Sequence, residues 1–358
     1  MIAMTDLDAA FSGTEEPTER LKLDLSALAA FMAEHVPDAG ALESGRKFKG
    51  GQSNPTYLLR ARGGDFVLRR KPPGELLRGA HAIDREYRAI AALHPEGFPV
   101  PRPFAYCGDE SIIGSAFYIC EHVAGRVVWD PLMPDEEPAK RAATYANAAD
   151  WLARLHSLEP AQIGLGDFGR PSGYAARNLT LWSKQYRAAE MQHVPDMHWL
   201  MDALAERVPA DAPTRLIHGD YGIYNIIFAA DAPRALAVLD WEMATLGDPF
   251  VDLAHHLRPW WLPPAPGAPT LCGQDLAGTG IPAMNEQVER YLSHMGLGAV
   301  PDWDWYLAYA QFRFAAMVQG VLKRYADGTA ANRTSTHTAK TVAQAAASAR
   351  RVLEGAGG

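Results

Sequence analysis

The stretch LIHGDYGIYNIIF at 216–228 sets His218, Gly219, Asp220 and Asn225 inside a run that otherwise has the apolar character of a buried strand. Fifteen residues past Asn225, the segment VLDWE closes a second apolar run with Asp240. Polar groups at the ends of two adjacent strands can meet at one point while their apolar neighbours stay buried. Such a meeting suits activation of a hydroxyl by one carboxylate, beside a metal held by an amide oxygen and a second carboxylate, hard donors of the kind magnesium takes. The competing reading of Asp220 and Asn225 alone is a capped turn.

The surrounding elements must place these groups. LDLSALAAFMAEHVP at 23–37 has helical spacing, with Asp24 or Ser26 as its cap and Pro37 as its stop. From Arg46 the pattern changes to three antiparallel strands, near 46–50, 56–61 and 66–70, separated by the turn clusters GGQSN and RGGD. A helix follows in AIDREYRAIAALHP, with Ile83, Tyr87, Ile90 and Ala91 on one face, and two short strands are expected near RPFAYCG and AFYICEHV. The passage GRVVWDPLMPDEEP, rich in Gly, Pro and acids, marks the change to helical patterns such as YANAADWLARLHSL, 285–296, 303–325 and 337–354. A Pro- and Gly-rich loop is expected from Arg258 to Gly280, and a strand pair around 216–239 is embedded among the helices. A β-rich part followed by an α-rich part predicts an α+β arrangement of two lobes rather than an alternating βαβ sheet. The expected division is a disordered arm at 1–20, an N-terminal lobe at 21–123 that ends in a hinge, and a helical C-terminal lobe at 124–358.

Composition narrows the partners. The 358 residues are 48% hydrophobic and carry a net charge of −8, so no overall positive field favours a nucleic-acid backbone or an anionic membrane. Cys107, Cys120 and Cys272 are scattered without CxxC spacing, as expected of reduced thiols. The first residues lack the basic and apolar regions of a secretion signal, and no run reaches the roughly eighteen apolar residues of a membrane helix. These features predict a soluble cytoplasmic protein; they say nothing of its oligomeric state.

HGDYGIYN resembles the H-x-D-x-x-x-x-N catalytic loop of the protein-kinase-like fold, with Gly219 where protein kinases carry arginine, and LDWE stands where those kinases have D-F-G. His-Gly-Asp followed by GDPFVDLAHHL is the form seen in the aminoglycoside phosphotransferase family, and the resemblance runs from about Arg46 to Tyr325. It implies a small antiparallel-sheet N-lobe that binds ATP and a mostly helical C-lobe. Asp220 is then similar to the catalytic base, Asn225 and Asp240 to the two Mg2+ ligands, and His218 to an orienting residue. Asp248 and Asp252 resemble helix-capping and loop-bracing groups.

In the N-lobe, Gly50, Gly51, Gln52, Ser53 and Asn54 correspond to the backbone cover over the nucleotide phosphates. The strand FVLRR aligns with V-A-I-K and puts Arg69 at the phosphate-contacting position, where the family has lysine; Lys71 is the alternative cation. Glu86 takes the place of the ion-pair glutamate, against the plain reading of an exposed helix residue, and main-chain groups near Glu121 and Val123 correspond to a hinge that holds the adenine edge.

FVLRRKPPGELL, AHAIDREYRAI and FRFAAMVQGVLKRYADG are most similar to the kinase domains fused to acyl-CoA dehydrogenases and their free-standing bacterial relatives. That resemblance implies phosphorylation of a small hydroxylated acceptor, a hydroxy acid or its coenzyme A thioester. On the acceptor side, His256, Arg258, Trp260 and Arg313, with neighbours His255, Trp261, Lys323 and Arg324, offer cations and aromatics suited to an anionic, partly apolar molecule. Each of the tryptophans also reads as core packing. Adjacent helical positions point about 100° apart, which argues against a metal on the His255–His256 pair. The alternatives are an aminoglycoside 3'-type kinase and, because of Arg69, a nucleotide-binding regulatory module without turnover. A protein kinase is disfavoured, since no A-P-E follows LDWE.

Overall fold

The computed structural model describes residues 13–49, 54–72, 82–264, 269–328 and 338–355. Helix α1, Leu25–His35, is capped by Asp24, whose Oδ1 accepts the Ser26 and Ala27 N–H groups; of the two candidate caps, Asp24 is the one used. Strands β1 (Thr14–Glu15), β2 (Leu42–Phe48), β3 (Thr56–Ala61), β4 (Gly64–Arg70), β5 (Pro103–Cys107) and β6 (Phe117–Glu121) form one antiparallel sheet in the order β1-β2-β3-β4-β6-β5. The arm expected at 1–20 is therefore ordered over its described part. Thr14 and Glu15 pair with Phe48 and Lys47, Glu15 binds Lys47, and Arg46 donates to Thr14 Oγ1. Charges on the edge strand recruit a partner strand that composition alone does not reveal.

Alternation along β4 divides its side chains between two cores. Phe66 and Leu68 face α1 in a core with Leu28, Met32, Tyr57, Phe117 and Ile119. Val67 and Arg69 face the other way, toward helix α2, Ile83–Leu93. Ile83, Ala89, Ile90 and Leu93 of α2, with Tyr118 and Cys120 of β6, belong to the same apolar core as the C-terminal helices. One face of the small sheet is thus packed continuously onto the large lobe, so α2 follows both lobes. Glu86 lies on the buried face of this helix with 1% exposure, which excludes the reading of an ordinary surface glutamate.

Beyond β6, β7 (Arg126–Val127) pairs with β9 (Ile226–Phe228), which also pairs with β10 (Ala235–Val238). The helices α3 (Pro138–Ser157), α4 (Tyr174–Ala189) and α5 (Pro195–Glu206) come before β8 (Arg215–Ile217), which pairs with β11 (Thr245–Gly247). The strand pair expected around 216–239 is therefore resolved differently: the runs flanking Asp220 belong to two separate small sheets, and the Asp220 segment crosses between them. Helices α6 (Pro249–His256), α7 (Arg258–Trp261), α8 (Met284–Met295), α9 (Trp303–Ala326) and α10 (Ala339–Leu353) complete the lobe. The short α7 turn interrupts the expected 258–280 loop because Pro259 sits at a helix start and Trp261 is buried. Among the described residues, no helix is long and apolar enough to cross a membrane.

A Cβ on Gly125 would lie 2.4 Å from the Phe228 carbonyl oxygen and 2.5 Å from the Ile227 side chain, so the backbone between β6 and β7 approaches β9 as only glycine allows. Gly125→Ala is expected to cost about 1–3 kcal/mol through overpacking, read as a lowered urea midpoint with an unchanged slope.

Candidate active site

Four backbone and side-chain bonds set the loop after β8. The His218 and Gly219 N–H groups donate to Asp252 Oδ2 and Oδ1 at 2.6 and 2.8 Å. His218 Nε2 meets the Leu239 carbonyl oxygen at 2.8 Å, and the Asp220 N–H meets His218 Nδ1 at 3.2 Å. A ring that donates through Nε2 and accepts at Nδ1 satisfies both bonds, so His218 ties the loop to the end of β10. Gly219 has φ +83°, and a Cβ there would sit 2.7 Å from the Met243 carbonyl oxygen, so both conformation and space require glycine.

Helix α6 supplies the bracing. Asp248 caps it through the Phe250 N–H and accepts the Tyr306 hydroxyl at 2.7 Å; burial pushes its carboxyl up to about 6. One turn on, Asp252 is fully buried and reaches His156 at 3.4 Å. Burial alone would raise the Asp252 carboxyl, but the hydrogen bond and charge of His156 and the backbone N–H donors outweigh it and hold it below the ordinary range.

The same helix delivers His255 to Asp220. Asp220 Oδ1 lies 2.7 Å from His255 Nε2 and accepts the Tyr224 hydroxyl at 2.8 Å. Burial again opposes charge on the Asp220 carboxyl, and again loses: His255, then Arg258, hold it well below the usual carboxylate range. His255 itself is pushed down by its burial, which the Asp220 contact only partly offsets. Asn225 Nδ2 donates to the Asp220 carbonyl and to Oδ2, at 2.9 and 3.2 Å, and so turns its amide oxygen away from Asp220.

Asp240 follows β10 with φ 68°, a left-handed conformation uncommon outside glycine, and meets the small lobe there. Arg69 Nη2 lies 2.6 Å from Asp240 Oδ1 and 3.6 Å from Glu242, while its Nε is in ion-pair contact with Glu86 Oε2 at 2.9 Å. Burial works against the Arg69 charge, but Glu86 and Asp240 raise it well above its ordinary value. Burial pushes Glu86 up to about 7 despite Arg69. Three carboxyl groups surround a single guanidinium here. That excess of hard anionic oxygen fits a divalent cation such as magnesium.

Several expectations meet the structure differently. Gly50, Gly51, Gln52 and Ser53 lie outside the described residues. Asn54 is buried and its side chain donates to Glu242 at 3.3 Å, joining it to the carboxylate cluster. Arg69, not Lys71, is the cation brought to Glu86 and Asp240; the Lys71 N–H pairs with the Ala116 carbonyl. Glu121 ends β6 with its carboxylate on the Arg102 N–H, and Val123 lies on the linker to β7. His256 is not at the site: it is 1% exposed, packs against Tyr221, and burial pushes it down to about 4. One residue of helix, about 100°, separates it from His255, which does face Asp220. Trp260 is also a packing residue, donating to the Pro282 carbonyl and meeting Tyr145 edge-on. Arg258 lies 4.0 Å over the Tyr224 ring, and the buried Arg313 donates through Nη2 to the Gly219 carbonyl, so both reach the loop that carries Asp220. Sequence reasoning missed Tyr224 and Glu242; their spacing, four residues after Asp220 and two after Asp240, was the available signal.

The fold and this site define a kinase-like phosphotransferase architecture. Residues 44–292 match the model of the phosphotransferase enzyme family, and the chain belongs to that family. It is 39% identical over 335 residues to acyl-CoA dehydrogenase family member 11 of Rattus norvegicus, covering 92% of this chain and 43% of that protein. It is 35% identical over 331 residues to the probable acyl-CoA dehydrogenase IBR3 of Arabidopsis thaliana, covering 86% of this chain and 40% of that protein. The chain thus spans less than half the length of these relatives. A crystal structure from Ralstonia eutropha JMP134, provisionally described as an aminoglycoside phosphotransferase, is similar with TM-score 0.78 and 40% identity, covering 94% of this chain and 97% of its own. Aminoglycoside phosphotransferase APH(4)-Ia with ADP and hygromycin B, at 15% identity and TM-score 0.56, shares the fold alone.

Replacing Asp252 by Asn is expected to destabilise the chain by about 1–3 kcal/mol through unpaired buried groups and to lower turnover, measured by urea unfolding and ADP release. A pH test uses His256. Its folded value near 4 lies below its ordinary 6.5, so the unfolded chain binds the proton first. Its contribution is full above about pH 6.5 and drains as pH falls toward about 4. His256→Phe should therefore lose about 1–3 kcal/mol less than the wild type across that window.

Proposed function

We propose that the chain is an ATP- and magnesium-dependent phosphotransferase that acts in the cytoplasm on the hydroxyl of a small anionic metabolite, a hydroxy acid or a hydroxyacyl-CoA. The observation that carries this reading is the Asp220 carboxylate, held ionised by His255 and hydrogen-bonded by Tyr224 and Asn225, with the Leu239 N–H, next to Asp240, on the Asn225 carbonyl. Membership of the phosphotransferase enzyme family supports the reaction class, and the acyl-CoA dehydrogenase names of the relatives support an acyl or hydroxyacyl acceptor. The ADP bound by a neighbour of the same fold supports a nucleotide donor.

In the proposed reaction the acceptor oxygen forms a bond to the γ-phosphorus as the bond from that phosphorus to the β–γ bridging oxygen breaks, and ADP leaves. Asp220 aligns the acceptor hydroxyl and takes its proton. A carboxylate held this low is a weak base, so alignment comes first and the proton moves once the oxygen has lost electron density to phosphorus. Magnesium, held by Asn225 and Asp240, would neutralise phosphate charge. Arg69 would contact the phosphates, with Glu86 in ion-pair contact to hold its guanidinium. Arg258 and Arg313 beside the loop favour an anionic acceptor over a polycationic aminoglycoside.

A second reading, a nucleotide-binding module without turnover, draws on the 2.6 Å contact of Arg69 with Asp240, which puts a guanidinium on a metal-ligand oxygen. ADP release across a panel of hydroxy acids, hydroxyacyl-CoA thioesters and kanamycin separates the readings: turnover of the acids or thioesters supports the proposal, and tight ATP binding without turnover supports the module. Asp220→Asn is expected to lower turnover about a hundredfold to ten-thousandfold with ATP affinity, by calorimetry, largely kept. An unchanged rate removes Asp220 from the chemistry.

A further inference from the structure

A cavity of about 460 Å³ lies between α4, the segment around Met243 and helix α9. Its lining includes Arg170, Arg177, Asn178, Trp182, Gln185 and Arg313, and no carboxylate is among its lining residues. Arg313 joins it to the catalytic loop. The guanidinium is 2% exposed, stacks 5.4 Å over the Trp182 ring, and gives Nη2 to the carbonyl of Gly219, the residue before Asp220. Its other terminal nitrogen, Nη1, is buried without a hydrogen-bond partner. Among the described residues, none of these three arginines is ion-paired with a carboxylate. The buried acids close by are committed elsewhere, Asp248 to Tyr306 and the Phe250 N–H, Asp252 to His156 and the loop backbone.

A buried cationic donor left without an acceptor costs about 1–3 kcal/mol or more unless something fills the position. A fork of guanidinium donors matches the paired oxygens of a carboxylate or a phosphate. We propose that this cavity is the anion-binding subsite for the phosphoryl acceptor. Arg313 takes the anionic oxygens from inside, Arg177 and Arg170 take them at the rim, and the Trp182 ring covers the carbon chain. The inference rests on the phosphotransferase reading and deepens it: acceptor choice is made by these arginines, on the wall one residue from Asp220, and not by His256 or Trp260. The shared chemistry is an oxyanion, from the carboxylate of a free hydroxy acid or a phosphate of a coenzyme A thioester.

The test measures ADP release with the isomeric hydroxybutyrates, their coenzyme A thioesters, and uncharged butanediols as controls. In the Arg170→Gln, Arg177→Gln double variant, both side chains lying at the rim, the acceptor KM is expected to rise about tenfold or more, the equivalent of one charge-assisted bond. kcat at saturating acceptor and the KM for ATP should stay within about threefold, and the preference for anions over butanediols should collapse. Arg313→Lys, which keeps a cation but removes the fork, should move the acceptor KM in the same direction. A KM change for the free acids identifies the carboxylate as the ligand, and a change for the thioesters alone identifies phosphate; both support the subsite. An unchanged acceptor KM in both variants overturns it. If the wild type phosphorylates no acceptor, the phosphotransferase reading fails by itself. Equilibrium dialysis of the same compounds then decides the subsite: weaker binding to the double variant supports it, and equal binding overturns it.

Discussion

The contact on which the site depends is the Arg69 guanidinium set between Glu86 and Asp240. Arg69 belongs to the small sheet, Glu86 to the helix that packs on both lobes, and Asp240 to the end of a strand in the large lobe. One cation therefore fixes three elements that are far apart in sequence. A buried acid such as Glu86 stands ionised only when a cation offsets its desolvation, and removing Arg69 would leave that charge with nothing to balance it. Arginine suits the position because its fork reaches two acids at once, which a lysine point charge does less well. The surplus of carboxylate around it then creates a place for further positive charge.

Helix α6 does for the large lobe what Arg69 does between lobes. In eight residues, with the Asp248 cap before them, it provides Asp252 for the loop backbone and His255 for Asp220. Asp252 and His255 are three positions apart and share a face, so both reach the loop, while His256 turns into the core. This arrangement explains how Asp220 stays charged in a partly buried place. Its donors are held by a rigid helix and by Tyr224, a residue of its own loop, so little reorganisation is needed when substrate arrives.

Much of this was legible in the chain. The order of β-rich and α-rich segments, the caps and the period-two pattern of FVLRR follow from local preferences that act within a few residues. The spacing from Asp220 to Asn225 and on to Asp240 is legible for a related reason: each group sits at a strand end, and strand ends are visible as breaks in apolar runs. Errors occurred where the side chain's direction mattered more than its type. His255 and His256 are identical in composition and differ by one residue of helix. Trp260 carries the aromatic character of a binding residue but spends it on Tyr145 and the Pro282 carbonyl.

The sequence by itself determined which groups are available and the spacing that ties Asp220, Asn225 and Asp240 to one motif, because those distances are short along the chain and set by strand length. It also determined the two-lobed class, since hydrophobic period responds to local geometry. Only the tertiary structure decided the pairing of Arg69 with Glu86 and Asp240, the separation of the strands around Asp220 into two sheets, and the gathering of Arg170, Arg177 and Arg313 around one cavity. These depend on contacts between residues tens to hundreds of positions apart, where burial and desolvation, which no local pattern records, choose the partner.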